Sequence, residues 1–130
     1  MTKFALEKIE LVKGKQIFYD LIIDGAGQFS SFSKEVETAY KSELLTIIAR
    51  MDLVSNLQRL PKEKFRNITP KKESVKEYEF KTKHLRVYAI HLENTGKVIL
   101  LAGYKNSQKR DIPSFRNLKN QFLKSLEDDK

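Results

Sequence analysis

The sequence contains no cysteine and no tryptophan, and only two of its 130 residues are histidine. Without cysteine the chain cannot form disulfides or thiolate metal sites, a composition that fits a cytoplasmic protein. The two histidines do not form a ligand cluster, so we expect no metal and no other cofactor. No apolar run approaches the roughly 18 residues of a membrane span. The charged N-terminal stretch also lacks the apolar core of a secretory signal.

Positive charge is distributed unevenly along the chain, whose net charge is +8. Residues 1–60 contain 8 Lys/Arg and 8 Asp/Glu, whereas residues 61–130 contain 17 Lys/Arg and 9 Asp/Glu. The whole excess therefore lies in the second half. This asymmetry indicates a polyanionic partner, either nucleic acid or an acidic protein, although a lysine-rich soluble surface would give the same counts.

The first half of the chain predicts strands followed by helices. Residues 4–23 favour two strands around a turn at Gly14, so residues 1–15 would add an extra N-terminal strand. The glycines of the next loop lack the Gly-Lys-Ser/Thr of a phosphate-binding P-loop and indicate a connector. Ser33 is a candidate N-cap for an amphipathic helix that reaches Met51. Asp52 is a candidate cap for a shorter second helix that ends at Leu60.

The second half predicts a three-stranded meander and a last helix. A basic connector with two prolines precedes strands at residues 75–81, 85–92 and 97–104. The Asn-x-Gly turn between the last two strands is a hairpin signal. The third strand is apolar on both faces, which is typical of a central strand. Asp111 then caps a helix whose end, residues 127–130, should fray.

This order of elements predicts one α+β domain over residues 1–130. We expect an antiparallel sheet with one or two N-terminal strands, two helices packed on one face, the meander and a C-terminal helix. The sequence pattern favours placing all the helices on the same face of that sheet.

The meander should bring two distant loops together, because its first and third strands run in the same direction. The turn after the first strand and the exit of the third strand would then share one end of the sheet. The catalytic candidates there are His84, Arg86, Tyr104 and Lys105, and the candidates for RNA binding are Lys81, Lys83, Lys109 and Arg110. Lys and Arg stabilise a negatively charged phosphorane, while His and Tyr can transfer protons. The group therefore suits metal-independent cleavage of RNA by its own 2′-hydroxyl.

Each candidate also has an ordinary structural explanation. His84 can be a turn residue, Tyr104 can end a core strand, and Lys81 and Lys83 can be solvated charges or protect a sheet edge. Arg86 can pair with Glu77 or Glu79 on the neighbouring strand. His91, seven residues beyond His84, is more typical of a structural position. Only the grouping of the candidates favours a functional site.

Residues 77–113 resemble the RelE/ParE superfamily of bacterial type II toxins, and within it the HigB-like, phage-derived branch. The resemblance is carried by Tyr78-Glu-Phe80, by Leu85-Arg86-Val87-Tyr88, and by an apolar strand that leads into Gly103-Tyr104-Lys105-Asn106-Ser107-Gln108-Lys109. The upstream strand and helix lie in the expected order, so the resemblance covers about residues 17–126. Glu77 and Glu79 depart from the RelE pattern, which has lysines on this strand, and Asn106 replaces the second lysine of a pair.

The resemblance implies a RelE-like toxin that cleaves mRNA in the ribosomal A site and is blocked by a small antitoxin protein. It implies that the partners are this antitoxin, mRNA and the ribosome with its 16S rRNA. By position, Arg86, Tyr104, Lys105 and Lys109 match motif sites. Two alternatives stay open: a ParE-like inhibitor of DNA gyrase that is not a nuclease, and a basic interaction module without enzymatic activity.

Overall fold

The computed structural model describes residues 2–128. Over this range the chain forms one seven-stranded sheet and three α-helices. The strands are β1 (Phe4–Lys8), β2 (Phe18–Ile23), β3 (Ala26–Gly27), β4 (Phe65–Asn67), β5 (Glu77–Lys81), β6 (Leu85–Leu92) and β7 (Gly96–Tyr104). The helices are α1 (Gln28–Glu35), α2 (Lys41–Ser55) and α3 (Gln108–Asp128). None of the helices in this range combines the length and apolarity that crossing a membrane would require.

The sheet has the strand order β1-β2-β7-β6-β5-β4, and β3 pairs with β2. Strands β5, β6 and β7 form the predicted antiparallel meander, and β7 is the predicted central strand between β2 and β6. The α+β class is thus confirmed. However, β2 pairs with β7 in parallel, so the sheet is mixed and the prediction of an antiparallel sheet is wrong. The cause is the connection through α1 and α2. After it the chain re-enters the sheet at the far edge as β4, and the next strands are added in order until β7 lies beside β2.

Helices cover both faces of the sheet, which corrects the prediction that all of them pack on one face. The first face packs against α1 and α2 through a core that includes Val87 and Ile99. The second face packs against α3 through a core that includes Tyr88 and Leu100. Successive strand residues point to opposite faces, and both faces of β6 and β7 are apolar. An apolar sheet of this kind is stable only when each face is covered.

Two helix boundaries differ from the sequence prediction. Ser33 lies inside α1, where its hydroxyl donates to the Phe29 carbonyl at 2.8 Å, and it is not an N-cap. A short 3₁₀ turn at Thr38–Tyr40 separates α1 from α2. Asp52 does not begin a second helix either, because α2 continues through it to Ser55. Its carboxylate instead accepts the Lys13 N–H at 2.8 Å and so fixes the loop that precedes β2.

Other boundaries shift by a few residues. The predicted irregular connector contains the short edge strand β4, and the N-terminal strand forms as β1. The last helix begins at Gln108, so Asp111 lies inside its first turn. Residues 127 and 128 belong to α3 although we predicted a frayed end, and residues 129–130 lie outside the described range.

Ion pairs with buried carboxylates attach α3 to strand β5. Glu77 and Glu79 have no exposed surface. Glu77 accepts Arg116 Nε at 3.0 Å and Lys119 Nζ at 2.8 Å. Glu79 accepts the side-chain nitrogens of Arg66 and Gln108. Because Gln108 is the first residue of α3, this network fixes where the helix starts relative to the end of β7.

Candidate functional site

The two distant loops meet at one end of the sheet, as the sequence predicted. Leu85 at the start of β6 pairs with Tyr104 at the end of β7. The Lys105 N–H donates to the His84 carbonyl oxygen at 2.8 Å. A cleft of about 450 Å³ opens at this junction, lined by Glu37, Tyr40, His84, Tyr104, Lys105, Asn106, Ser107 and Gln108. Three of the four catalytic candidates therefore line one cleft.

The imidazole of His84 is held by a carboxylate on helix α2. Its Nδ1 lies 2.7 Å from one oxygen of Glu43, and its backbone N–H donates to the other oxygen at 2.8 Å. The ring also stacks on Tyr40, with a centroid separation of 4.4 Å and an angle of 23° between the planes. A carboxylate on Nδ1 favours the tautomer protonated there and leaves Nε2 as the nitrogen for proton transfer. The side chain of His84 is 40% exposed, so solvent and ligands can reach it.

The Glu43 carboxylate is tuned to stay ionised. Burial alone would raise the pKa of Glu43. Hydrogen bonds from Thr82 and from the side chain and backbone of His84 outweigh this effect, and together with the charge of His84 they lower the pKa below the usual glutamate value. Glu43 and His84 therefore form a hydrogen-bonded carboxylate–imidazole pair, in which Glu43 fixes the orientation of the ring.

Tyr104 is fixed in the wall of the same cleft. Its hydroxyl oxygen accepts the Glu37 N–H at 3.1 Å. Its ring packs edge-on against Phe32, with centroids 5.6 Å apart, and lies 6.0 Å from the Tyr40 ring. Because the hydroxyl oxygen is the acceptor in this contact, its hydrogen remains available for donation into the cleft.

Lys105 supplies positive charge at the rim of the cleft. It is exposed and begins the 3₁₀ turn at Lys105–Ser107, which leads directly into α3. The positive end of the 21-residue α3 dipole lies next to this turn. An ammonium group and a helix N-terminus on one side of a cleft both favour a bound anion.

Arg86 is not brought into the cleft, which corrects its predicted placement beside Lys105. It is only 5% exposed, and its Nη1 donates to the carbonyl oxygens of Thr82 and Leu85 at 2.5 and 2.8 Å. Side chains alternate along β6, so Arg86 points to the α3 face while Leu85 points to the α1–α2 face. Its guanidinium therefore holds the β5–β6 turn in shape. The carboxylates that we considered as its partners pair with other cations.

The four candidates for RNA binding are not among the residues that line the cleft. Lys83 is exposed in the turn beside His84, and Lys81 is half-buried at the end of β5. Lys109 and Arg110 are exposed in the first turn of α3, where Arg110 Nε lies 3.5 Å from Asp111 Oδ1. Their contact with RNA stays a prediction.

His91 lies at the opposite end of β6 from His84. Its Nδ1 is 3.3 Å from the Lys97 ammonium, which itself donates to Gln16. Burial, followed by the nearby charge of Lys97, lowers the pKa of His91. This position agrees with the structural assignment that the sequence favoured.

Sequence reasoning missed Glu37, Tyr40 and Glu43, and it named Asn106, Ser107 and Gln108 only as motif residues. Tyr40 falls within the amphipathic helix that we predicted from Ser33 to Met51, and in the structure it packs against the core while also stacking on His84. Tyr40 and Glu43 are three residues apart, a spacing that places two helical side chains on the same face. That spacing was the available signal, but nothing in the sequence connected it to the turn at His84.

Comparisons of this chain with protein-family models, with curated proteins and with solved structures find no match. The resemblance to RelE/ParE toxins thus stays a prediction. The assignment of a function depends on the geometry and chemistry of the cleft.

Proposed function

We propose that the protein is a metal-independent endoribonuclease whose active site is the cleft around His84. One observation carries the proposal: an imidazole oriented by Glu43 shares this cleft with a phenol, Tyr104, and an ammonium group, Lys105. Cleavage of RNA by its own 2′-hydroxyl requires proton transfer at two oxygens and stabilisation of a developing negative charge. The cleft contains side chains for both tasks.

In the proposed reaction the 2′-oxygen attacks the adjacent phosphorus, and the bond from phosphorus to the 5′-oxygen breaks. His84 and Tyr104 exchange protons with the two oxygens, since one must lose a proton and the other must gain one. Lys105 stabilises the extra negative charge of the phosphorane. The products are a 2′,3′-cyclic phosphate and a 5′-hydroxyl, so the reaction consumes no water and uses no oxidant.

We further propose that the enzyme is the toxin of a type II toxin–antitoxin pair, acts in the cytoplasm and cuts mRNA on the ribosome. The resemblance to the HigB-like branch supports this part, together with the excess of +8 charge within residues 61–130. Lys81, Lys83, Lys109 and Arg110 would contact mRNA or 16S rRNA around the cleft. The same surface would bind an acidic segment of the antitoxin, because both ligands are polyanions.

Incubation of purified protein with programmed ribosomes, followed by mapping of mRNA 5′ ends, tests the proposal. We expect new 5′ ends at defined codons within the translated region and unchanged DNA supercoiling by gyrase. Intact mRNA together with inhibited supercoiling would favour a ParE-like toxin instead. If both assays were negative, the protein would be a basic interaction module without enzymatic activity.

A further inference from the structure

Lys97 is a buried cation without a carboxylate partner. The residue is only 6% exposed, and within residues 2–128 no carboxylate oxygen lies within 4.0 Å of its ammonium group. Lys119 is also buried, but its ammonium lies 2.8 Å from Glu77 and 3.7 Å from Glu73. Buried charges are normally paired with a charge of the opposite sign. The ammonium of Lys97 is instead held by neutral groups.

Three neutral side chains contact the Lys97 ammonium. Gln16 Oε1 lies 3.2 Å from it, His91 Nδ1 lies 3.3 Å from it, and the centroid of the Tyr78 ring lies 5.0 Å from it. The amide and the imidazole can accept hydrogen bonds, and the negative face of an aromatic ring attracts a cation. Because an ammonium group can only donate, Nδ1 of His91 must be the acceptor. The neutral imidazole therefore carries its hydrogen on Nε2.

We propose that His91 and Lys97 form a proton-sensitive contact, which stabilises this end of the sheet only while His91 is neutral. A proton on Nδ1 would remove the acceptor and would place two positive charges 3.3 Å apart. The two residues are directly paired across β6 and β7, close to the turn that joins these strands. Like charges that lie opposite each other on neighbouring strands are destabilising. Acid therefore weakens the β6–β7 hairpin at its closed end.

The other groups around His91 do not offset this repulsion. Lys76, whose carbonyl oxygen accepts the His91 N–H at 3.0 Å, is exposed and adds a further positive charge. On β2 the residue paired with Lys97 is the uncharged Phe18. The exposed Glu93 favours a proton on His91, but burial and, after it, the charge of Lys97 lower the pKa of His91. Burial also lowers the pKa of Lys97.

The contact should make the stability of the fold depend on pH. The pKa of His91 in the folded protein lies below its ordinary value of 6.5. As the pH falls below that value, the unfolded chain therefore binds a proton before the folded protein does. The stability that this contact contributes is present above pH 6.5 and is lost as the pH falls through the folded pKa.

A nuclear magnetic resonance titration of the two imidazoles tests the proposal. We expect His91 to titrate below 6.5, and we expect Lys97→Met to raise its pKa toward that value, because the charge is removed while the burial remains. The matched control is Lys76→Met, which should leave the pKa of His91 unchanged because solvent screens this exposed charge. His84, about 23 Å away along the strand, should titrate alike in all three proteins. A His91 with an ordinary pKa, or with a pKa that Lys97→Met does not raise, would overturn the proposal.

Urea unfolding at a series of pH values gives a second test, which does not require the Lys97 variant. His91→Gln keeps a hydrogen-bond acceptor near the Lys97 ammonium but cannot take up a proton there. Between about pH 7 and pH 5 we expect the urea midpoint of the wild type to fall further than that of His91→Gln, since the remaining groups titrate alike in both proteins. Parallel falls of the two midpoints would show that protonation of His91 does not weaken the fold and would also overturn the proposal.

Discussion

Replacing His84 with alanine should lower the rate of mRNA cleavage on programmed ribosomes by about 10² to 10⁴-fold, the usual contribution of a general acid or base. Among the titratable side chains that line the cleft, the imidazole alone is held by a carboxylate, that of Glu43. The variant should remain folded, because the His84 ring is 40% exposed and packs mainly on Tyr40. The measurement is the initial rate at which the mapped 5′ ends appear.

Two further variants separate chemistry from general electrostatics. Lys124→Ala removes one positive charge from the exposed surface of α3, outside the cleft, and should leave the cleavage rate unchanged. Glu43→Gln removes the negative charge beside His84 and should reduce the rate by a smaller factor, about 10 to 100-fold. If His84→Ala cleaved as fast as Lys124→Ala, His84 would have no role in proton transfer.

Replacing Glu77 with methionine should lower the free energy of unfolding by about 3 kcal/mol. The change leaves the ammonium of Lys119, a residue that is only 1% exposed, without the carboxylate that lies 2.8 Å away. An unpaired buried charge is strongly destabilising, typically by 3 to 5 kcal/mol. We place the expected value at the lower end because Glu73 remains 3.7 Å from the Lys119 ammonium. Urea unfolding followed by circular dichroism measures the loss.

The matched control for this prediction is the double variant Glu77→Met/Lys119→Met. It removes both charges at once and fills the space with apolar side chains, so it should recover most of the lost stability. A double variant as unstable as the single one would show that the unpaired Lys119 ammonium is not the cause, and that lost packing or the lost partner of Arg116 is. A single variant as stable as the wild type would show that the ion pair does not anchor α3.

The sequence predicted those parts of the fold that local patterns determine. The apolar runs and the Asn-x-Gly turn placed β6 and β7 within one residue of their observed ends and made β7 central. The parallel pairing of β2 with β7 could not be predicted in this way, since it depends on where the chain returns after α2. The position of α3 on the second face follows from the apolar character of Tyr88, Ile90 and Leu100, a signal that is visible only once the strand register is known.

The sequence could predict contacts between neighbouring strands of the meander, but it could not predict the contacts that helix α2 makes with the sheet. The meander correctly placed His84 next to Lys105, because strand direction alone determines that contact. The same reasoning did not assign Arg86 to a face of the sheet. Adjacent residues of a strand point to opposite faces, so the side chain of Arg86 lies under α3 while that of Leu85 lies on the other face. Glu43 lies 41 residues before His84, so only the packing of α2 against the sheet could show their contact.

The central claim is that the cleft cleaves RNA through the 2′-hydroxyl, and a single 2′-deoxynucleotide tests it most directly. Ribosomes are programmed with an mRNA that carries this substitution on the 5′ side of a mapped cleavage site. The account predicts that the wild-type protein leaves that bond intact and cuts the all-ribose mRNA there, leaving a 2′,3′-cyclic phosphate. Equal cleavage of the two mRNAs, or no cleavage of the all-ribose mRNA, would contradict it.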